Sequence, residues 1–116
     1  MTWLGIRTDR YEETVELFRD IFGLEPVHSE RGCIGLGFPD GSKMEIFAQY
    51  SRHCQHFTTG PVVGLLVDNV HQATEELRAK GIEIVAEPGD NYYAHFRGPD
   101  GRIYEINDSP RPSDEP

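Results

Sequence analysis

The stretch PDGSKMEI at positions 39–46 is nearly repeated as PDGRIYEI at positions 99–106. Each copy begins with the same tripeptide and ends in a glutamate followed by an isoleucine, and these glutamates are Glu45 and Glu105. Pro-Asp-Gly favours a type I turn with the glycine in a left-handed conformation, which closes a three-residue hairpin loop. The repeat therefore predicts two equivalent hairpins, each carrying one carboxylate.

The similarity between the two halves extends beyond the hairpins. Leu-Gly-Ile at 4–6 aligns with Val-Gly-Leu at 63–65, and each stretch leads into a helical pattern that stops at a glycine, Gly23 or Gly81. A unit too small to bury its own hydrophobic face can bury it against a second copy. The chain is therefore expected to be one structural unit written twice.

Hydrophobic spacing predicts the same order of elements in both halves. In the first half, strands are expected at 3–8 and near 24–30, 32–38 and 42–48. In the second half, strands are expected at 62–67 and near 82–87, 92–98 and 102–107. A helix follows the first strand of each half.

Capping residues and apolar positions define the two predicted helices. Asp9 with Glu12 resembles a capping box, and Asn69 with Gln72 marks the start of the second helix. The expected buried faces are Tyr11, Val15, Phe18 and Phe22 (or Ile21) in the first helix, and Val70, Ala73 and Leu77 in the second.

Counting back from each three-residue loop gives the register of the two hairpins. Glu45 is expected opposite Gly35, and Glu105 opposite His95. Because side chains alternate between faces, one face of each hairpin should pack on its helix. The pairs predicted on that face are Leu36/Met44, Ile34/Ile46, Phe96/Tyr104 and Ala94/Ile106. Glu45 and Glu105 belong to the other face, where Gly35 leaves room beside Glu45.

Bulk composition narrows the class of protein. The chain has 116 residues, a net charge of −9 and no apolar run of membrane length, so we expect a soluble cytoplasmic protein with no nucleic-acid or membrane partner. Its cysteines, Cys33 and Cys54, suggest reduced thiols rather than a disulfide framework. We expect a single domain at 1–108, with module 1 at about 1–50, a linker at 51–61 and module 2 at about 62–108, followed by a disordered tail at 109–116.

Three segments carry a resemblance to a known superfamily. They are FRDIFGL at 18–24, VDN at 67–69 with Leu77 and KG at 80–81, and GPDG at 98–101 leading to Glu105 and Ile106. With the βαβββ-βαβββ order, they resemble the vicinal oxygen chelate superfamily of glyoxalase I, bleomycin-resistance proteins and extradiol dioxygenases, over about residues 3–108. The resemblance implies an α+β fold, with two tandem βαβββ modules forming a curled, cup-shaped mixed sheet with helices on the outside. It also implies a homodimer.

Metal-dependent members of that superfamily take ligands from the first and last strands of each module. The matching positions here are Trp3, Glu45, Val62 and Glu105. The carboxylates fit the pattern, but Trp3 and Val62 stand where histidine is usual. Two carboxylates are too few for a zinc, nickel or iron site, which takes three or four protein ligands. The sequence therefore predicts no catalytic metal at these positions.

Histidines could still contribute to a site. His95 could be a displaced ligand, a hydrogen-bond partner of Glu105, or its partner in acid–base catalysis, which makes Glu105 and His95 the catalytic candidates. In the linker, His53, Cys54 and His56 could chelate a metal, although their spacing matches no standard zinc motif.

The resulting hypothesis is a small-molecule site that faces away from the helices. Its predicted ligand-binding residues are Trp3, Arg7, Lys43, Glu45, Phe47, Tyr93, His95, Arg97 and Glu105, with Tyr92 and Phe57 as further aromatic walls. Carboxylates beside aromatic rings suit a cationic organic ligand.

Three functional interpretations remain open. The first is a protein resembling the bleomycin-resistance branch, connected with antibiotic resistance, that binds a small organic molecule without a catalytic metal or other cofactor. The second is a metal-dependent lyase, isomerase or dioxygenase that uses Glu45, Glu105 and His95. The third is a scaffold without a ligand, whose glutamates pair with Arg7 or Arg97.

Overall fold

The computed structural model describes residues 2–58 and 60–108. The chain forms two compact units that divide between Val63 and Gly64. The tail at 109–116, expected to be disordered, lies outside the described residues. Within the described part of the chain, no helix is both long and apolar enough to cross a membrane.

The first unit consists of four strands and one helical region. Its elements are β1 (Trp3–Thr8), α1 (Tyr11–Val15), a π-helical segment (Glu16–Ile21), β2 (Glu25–Glu30), β3 (Cys33–Gly37) and β4 (Lys43–Ala48). The strands lie in the order β2-β3-β4-β1. Strand β1 runs parallel to β4, whereas the β2/β3 and β3/β4 pairs are antiparallel.

The second unit repeats this plan. Its elements are β5 (Val62–Leu66), whose first residues lie at the division, α2 (Val70–Ala79), β6 (Glu83–Ala86), β7 (Tyr93–Arg97) and β8 (Ile103–Asn107). The strands lie in the order β5-β8-β7-β6, with β5 parallel to β8 and the other pairs antiparallel. The α+β fold of two tandem βαβββ modules is therefore confirmed.

Both Pro-Asp-Gly loops form the predicted three-residue hairpins. Gly41 and Gly101 have φ angles of +88° and +82°, a left-handed conformation that glycine adopts without strain. The Asp40 and Asp100 carboxylates accept hydrogen bonds from the backbone N–H groups two residues later. The loops fix the predicted register, which pairs Gly35 with Glu45 and His95 with Glu105.

One face of each hairpin packs against the helix of its own unit, as expected. In the first unit the buried cluster is Val15, Ile34, Leu36, Met44 and Ile46, with Tyr11 and Phe18 packed against it. In the second unit it is Val70, Ala94 and Ile106, with Ala73, Leu77 and Phe96 packed against it. The opposite face of each hairpin therefore remains for the polar residues.

The start of the first helix differs from the predicted capping box. The N-cap position is Arg10, not Asp9, and its side chain caps no backbone group. The Arg10 side chain instead binds Glu13 at 2.6 Å, and the Arg10 N–H donates to the Thr8 hydroxyl at 3.0 Å. The Arg10–Glu13 ion pair and the hydrogen bond to the Thr8 hydroxyl thus stand at this helix start in place of the predicted capping box.

The end of the first helix also differs, because its last turns widen into a π-helix. The Phe22 N–H donates to the Leu17 carbonyl, five residues back, at 3.0 Å. The wider turn rotates later positions away from the 3.6-residue spacing that places apolar side chains on the core. Phe22 (or Ile21) was predicted to be buried, but Phe22 is 65% exposed and Ile21 71% exposed.

The two helix starts give a matched test of capping. The Asn69 side chain accepts a hydrogen bond from the Gln72 N–H at 2.9 Å, as predicted. Asn69→Ala should therefore lower the free energy of unfolding by about 1 kcal/mol. Asp9→Ala should change it by less than about 0.5 kcal/mol, because that exposed side chain caps nothing. Urea unfolding measures both, and an equal loss in the two variants would contradict the assignment.

Candidate functional site

Glu45 lies at the centre of the sheet face that points away from the helix in the first unit. Its neighbours across the strands are Gly5 on β1 and Gly35 on β3. Because paired residues point to the same face, two glycines flank the carboxylate and leave the space above them free for other side chains.

Two rings occupy that space. A Cβ at position 5 would collide with the Trp3 indole, and a Cβ at position 35 would collide with the His28 imidazole. His28 comes from β2, where it pairs with Gly35. The two glycines therefore allow both rings to lie over the sheet and reach Glu45.

Both oxygens of Glu45 contact these side chains or the thiol beside them. The indole N–H of Trp3 donates to Oε1 at 2.7 Å. On the other oxygen, Oε2, His28 Nε2 lies at 3.1 Å and Cys33 Sγ at 3.7 Å. The Glu45 side chain remains 19% exposed and that of His28 39% exposed, so solvent reaches the cluster from the His28 side.

The surroundings of Glu45 favour its charged form. Burial opposes ionisation, but the hydrogen bonds from His28 and Trp3 and the charge of Lys43 outweigh it and lower the pKa of Glu45. Burial together with the nearby Glu45 charge raises the pKa of Cys33 to about 12. The cluster therefore holds a carboxylate beside a protonated thiol.

Three of the aromatic residues predicted to wall the site form a packed group within the first unit. Trp3, Phe47 and Phe57 are only 6%, 3% and 4% exposed. Phe57 meets Trp3 and Phe47 edge to face, with ring centroids 5.9 and 5.8 Å apart. These rings shield the Trp3–Glu45 hydrogen bond, which strengthens it relative to an exposed one.

The predicted cations have other roles within their own units. Arg7 donates hydrogen bonds to the backbone carbonyls of Gln49 and His53 and so anchors the segment after β4. Arg97 binds Glu83 at 3.3 Å and the Gly101 carbonyl at 3.0 Å. The interpretation in which these arginines neutralise the glutamates is therefore not supported by their contacts.

The second unit holds its glutamate in a different way. His95 Nε2 lies 3.0 Å from Glu105 Oε1, and the Asn107 amide donates to Oε2 at 2.9 Å. All three residues are at least 95% buried. The predicted His95–Glu105 hydrogen bond is thus present, and the Tyr93 ring lies 5.3 Å from that of His95.

The linker histidines do not form a metal cluster with Cys54. His53 pairs with Glu30 at 2.9 Å, and His56 packs edge to face on Phe57. Over residues 2–58 and 60–108, the one group of three metal-ligating side chains is His28, Cys33 and Glu45.

Sequence reasoning missed His28, although a signal for it was present. Arg31 and Gly32 form a two-residue turn between β2 and β3, with Gly32 at a φ angle of +76°. Counting back from that turn pairs Ser29 with Ile34 and then His28 with Gly35. The space that Gly35 leaves beside Glu45 is therefore filled by a histidine.

Comparison with known proteins decides the family. A model of the Glyoxalase/Bleomycin resistance protein/Dioxygenase superfamily matches residues 1–106. The chain belongs to this superfamily. Among curated proteins, none matches it significantly.

Solved structures of the superfamily share the fold. The chain is 17% identical to methylmalonyl-CoA epimerase from Streptomyces coelicolor, with a TM-score of 0.61 over 96% of this chain and 97% of that one. A superfamily member from Vibrio splendidus is 15% identical, with a TM-score of 0.59 over 91% and 96%. The Mn(II)-bound glyoxalase from Novosphingobium aromaticivorans is 19% identical, with a TM-score of 0.68 over 92% of this chain but 38% of that one. At these identities the likeness establishes the fold alone.

The metal that superfamily members often carry does not fit the residues at the usual ligand positions. In the first module, Trp3 offers only an N–H donor, and that donor is bound to Glu45. In the second, Val62 is a fully buried aliphatic residue that offers no ligand atom. Neither module therefore presents a matched pair of metal ligands at these positions.

The lowered pKa of Glu45 predicts a pH-dependent contribution to stability. A carboxyl whose pKa is lowered by folding stabilises the protein above its unfolded value of about 4.3, and this contribution is lost as pH falls through the folded value. Trp3→Phe removes one donor, so it should raise the pKa of Glu45 and cost about 1–2 kcal/mol at pH 7, with a smaller loss at pH 3. Carboxyl NMR titration and urea unfolding at both pH values measure these effects. An unchanged pKa of Glu45 would contradict the assignment.

Proposed function

We propose that this protein binds a small organic cation without a catalytic metal at the superfamily's usual ligand positions. The observation that carries the proposal is the 2.7 Å hydrogen bond from the Trp3 indole to Glu45. At the first-strand position where metal-dependent members have a ligand, Trp3 instead supplies a hydrogen-bond donor that favours the ionised form of the carboxylate. The Glu45 carboxylate is therefore a fixed negative charge that can attract a small organic cation. Strand β1 places no metal-coordinating side chain beside it.

The charge and chemistry of this face favour a cation. Glu45 is ionised, and its side chain is still 19% exposed. The Trp3 ring, packed on Phe57, covers one of its oxygens, and the reduced access of water there strengthens an interaction with a positively charged ligand. This is the chemistry of a protein that sequesters an amine-bearing drug, as in the bleomycin-resistance branch.

An enzyme is the alternative. It rests on the buried His95–Glu105 hydrogen bond, which holds a carboxylate next to an imidazole and could move a proton. In this interpretation a lyase, isomerase or dioxygenase would use Glu105 and His95, together with Glu45 and a metal.

Binding of matched amines and alcohols tests the first interpretation. With EDTA present, aromatic amines such as phenethylamine should raise the melting temperature, whereas alcohols of the same shape such as 2-phenylethanol should not. Glu45→Gln should abolish the shift, because it removes the charge. His95→Ala should leave the shift unchanged relative to its own baseline.

Two results would contradict this proposal. Equal increases in melting temperature from amines and alcohols would show that the charge of the ligand has no role in binding. Shifts that vanish in EDTA and return only with metal would show that the amine requires a bound metal rather than the charge of Glu45, and turnover that is lost in His95→Ala would favour the enzyme.

We also propose a cytoplasmic homodimer. The exposed apolar side chains of Ile21 and Phe22 at the end of the first helical region are consistent with a covered surface in an assembly. Sedimentation velocity at micromolar concentration should give a species of about twice the 13.2 kDa chain mass. A single monomeric species would rule out the dimer.

A further inference from the structure

His28, Cys33 and Glu45 form a cluster on three neighbouring strands of the first unit. Their ligand atoms, an imidazole nitrogen, a thiol sulfur and a carboxylate oxygen, all lie within 4.8 Å of one another. We propose that this cluster binds a divalent transition metal of the zinc class. The proposal goes beyond the proposed function and concerns the same carboxylate, so the metal and the organic cation are alternative occupants of Glu45.

The two distances that meet at Glu45 Oε2 are close to those that a tetrahedral ion requires. With bonds of about 2.3 Å to sulfur and 2.0 Å to nitrogen or oxygen, tetrahedral ligands lie about 3.3–3.5 Å apart. His28 Nε2 and Cys33 Sγ lie 3.1 and 3.7 Å from Glu45 Oε2. An ion could therefore enter with shifts of only a few tenths of an ångström along these two edges.

The protein already orients the carboxylate for this role. Trp3 donates to Oε1 at 2.7 Å, while Oε2 contacts His28 and Cys33. A hydrogen bond to the outer oxygen of a metal-binding carboxylate fixes its orientation, as outer partners commonly do in metal sites. Trp3 is thus a positioning residue for the site, although it offers no ligand atom itself.

The donor set selects the kind of metal. A nitrogen, a sulfur and an oxygen suit Zn²⁺, Co²⁺ or Cu²⁺, whereas Mg²⁺ and Ca²⁺ prefer oxygen alone. Three protein ligands leave a fourth position for water or for a ligand atom of a small molecule. The His28 side chain, 39% exposed, provides the route from solvent.

The proposed site differs from the superfamily positions considered above. Only Glu45 is shared, because His28 lies on β2 and Cys33 on β3. All three ligands also lie in one unit, so the site needs nothing from the second module.

Cobalt titration of the reduced, chelator-treated full chain tests the proposal. Co²⁺ should bind at one equivalent, displace the Cys33 thiol proton to solvent, and produce a near-ultraviolet band from sulfur-to-metal charge transfer together with visible bands of a four-coordinate ion. Zn²⁺ should displace it. Cys33→Ser should abolish the charge-transfer band and weaken binding at least tenfold, whereas Cys54→Ser, a change of the same chemistry in the linker, should leave both unchanged.

Two further variants test the histidine. His28→Ala should weaken binding at least tenfold. Gly35→Ala keeps every ligand but places a methyl group against the His28 ring, so it should weaken binding similarly. Circular dichroism confirms the fold of each variant, and the conservative Cys33→Ser change keeps the test decisive if Gly35→Ala fails to fold.

Other outcomes would overturn the proposal. They are the absence of stoichiometric binding, binding without a charge-transfer band, and binding lost in Cys54→Ser or His53→Ala but retained in Cys33→Ser. The last result would assign the metal to the linker. The two proposals can fail separately, because metal binding is read from the cobalt spectrum whereas the amine shift is measured in EDTA, where no metal is bound.

Discussion

The burial of the Glu45 carboxylate is the constraint on which the polar face of the first unit depends. A charged group in a mostly dry position is tolerated only if donors surround it, and here they are Trp3 and His28. Both rings need room above the sheet, which explains why glycine occupies positions 5 and 35. One ionised side chain thereby determines residue types on four strands.

The second module meets the same requirement by another route. His95 sits directly opposite Glu105 in the hairpin, and Asn107 supplies the second donor from the same strand. These three residues are almost completely buried, whereas the cluster around Glu45 remains open on one side. The two halves of the repeat have therefore diverged into a closed polar network and an accessible one.

Much of the fold could be predicted from local patterns, because the three-residue loops fix the hairpin register through glycine geometry. That register placed Glu45 and Glu105 on the polar face and His95 against Glu105. The helical region after β1 was less predictable, since its last turns are π-helical and depart from the 3.6-residue spacing used to read the sequence. His28 was missed because every residue of β2 is exposed, so no alternation of apolar residues shows which face of the strand each side chain occupies.

The collision that a Cβ at position 35 would cause has a consequence for how such proteins diverge. Gly35 has no functional side-chain group, yet a single methyl group there would displace the His28 ring. In an alignment of relatives, we therefore expect positions 28 and 35 to vary together, with a small residue at 28 wherever 35 is larger than glycine. Loss of the cluster of His28, Cys33 and Glu45 during evolution could thus begin with a substitution at position 35, which has no polar side chain.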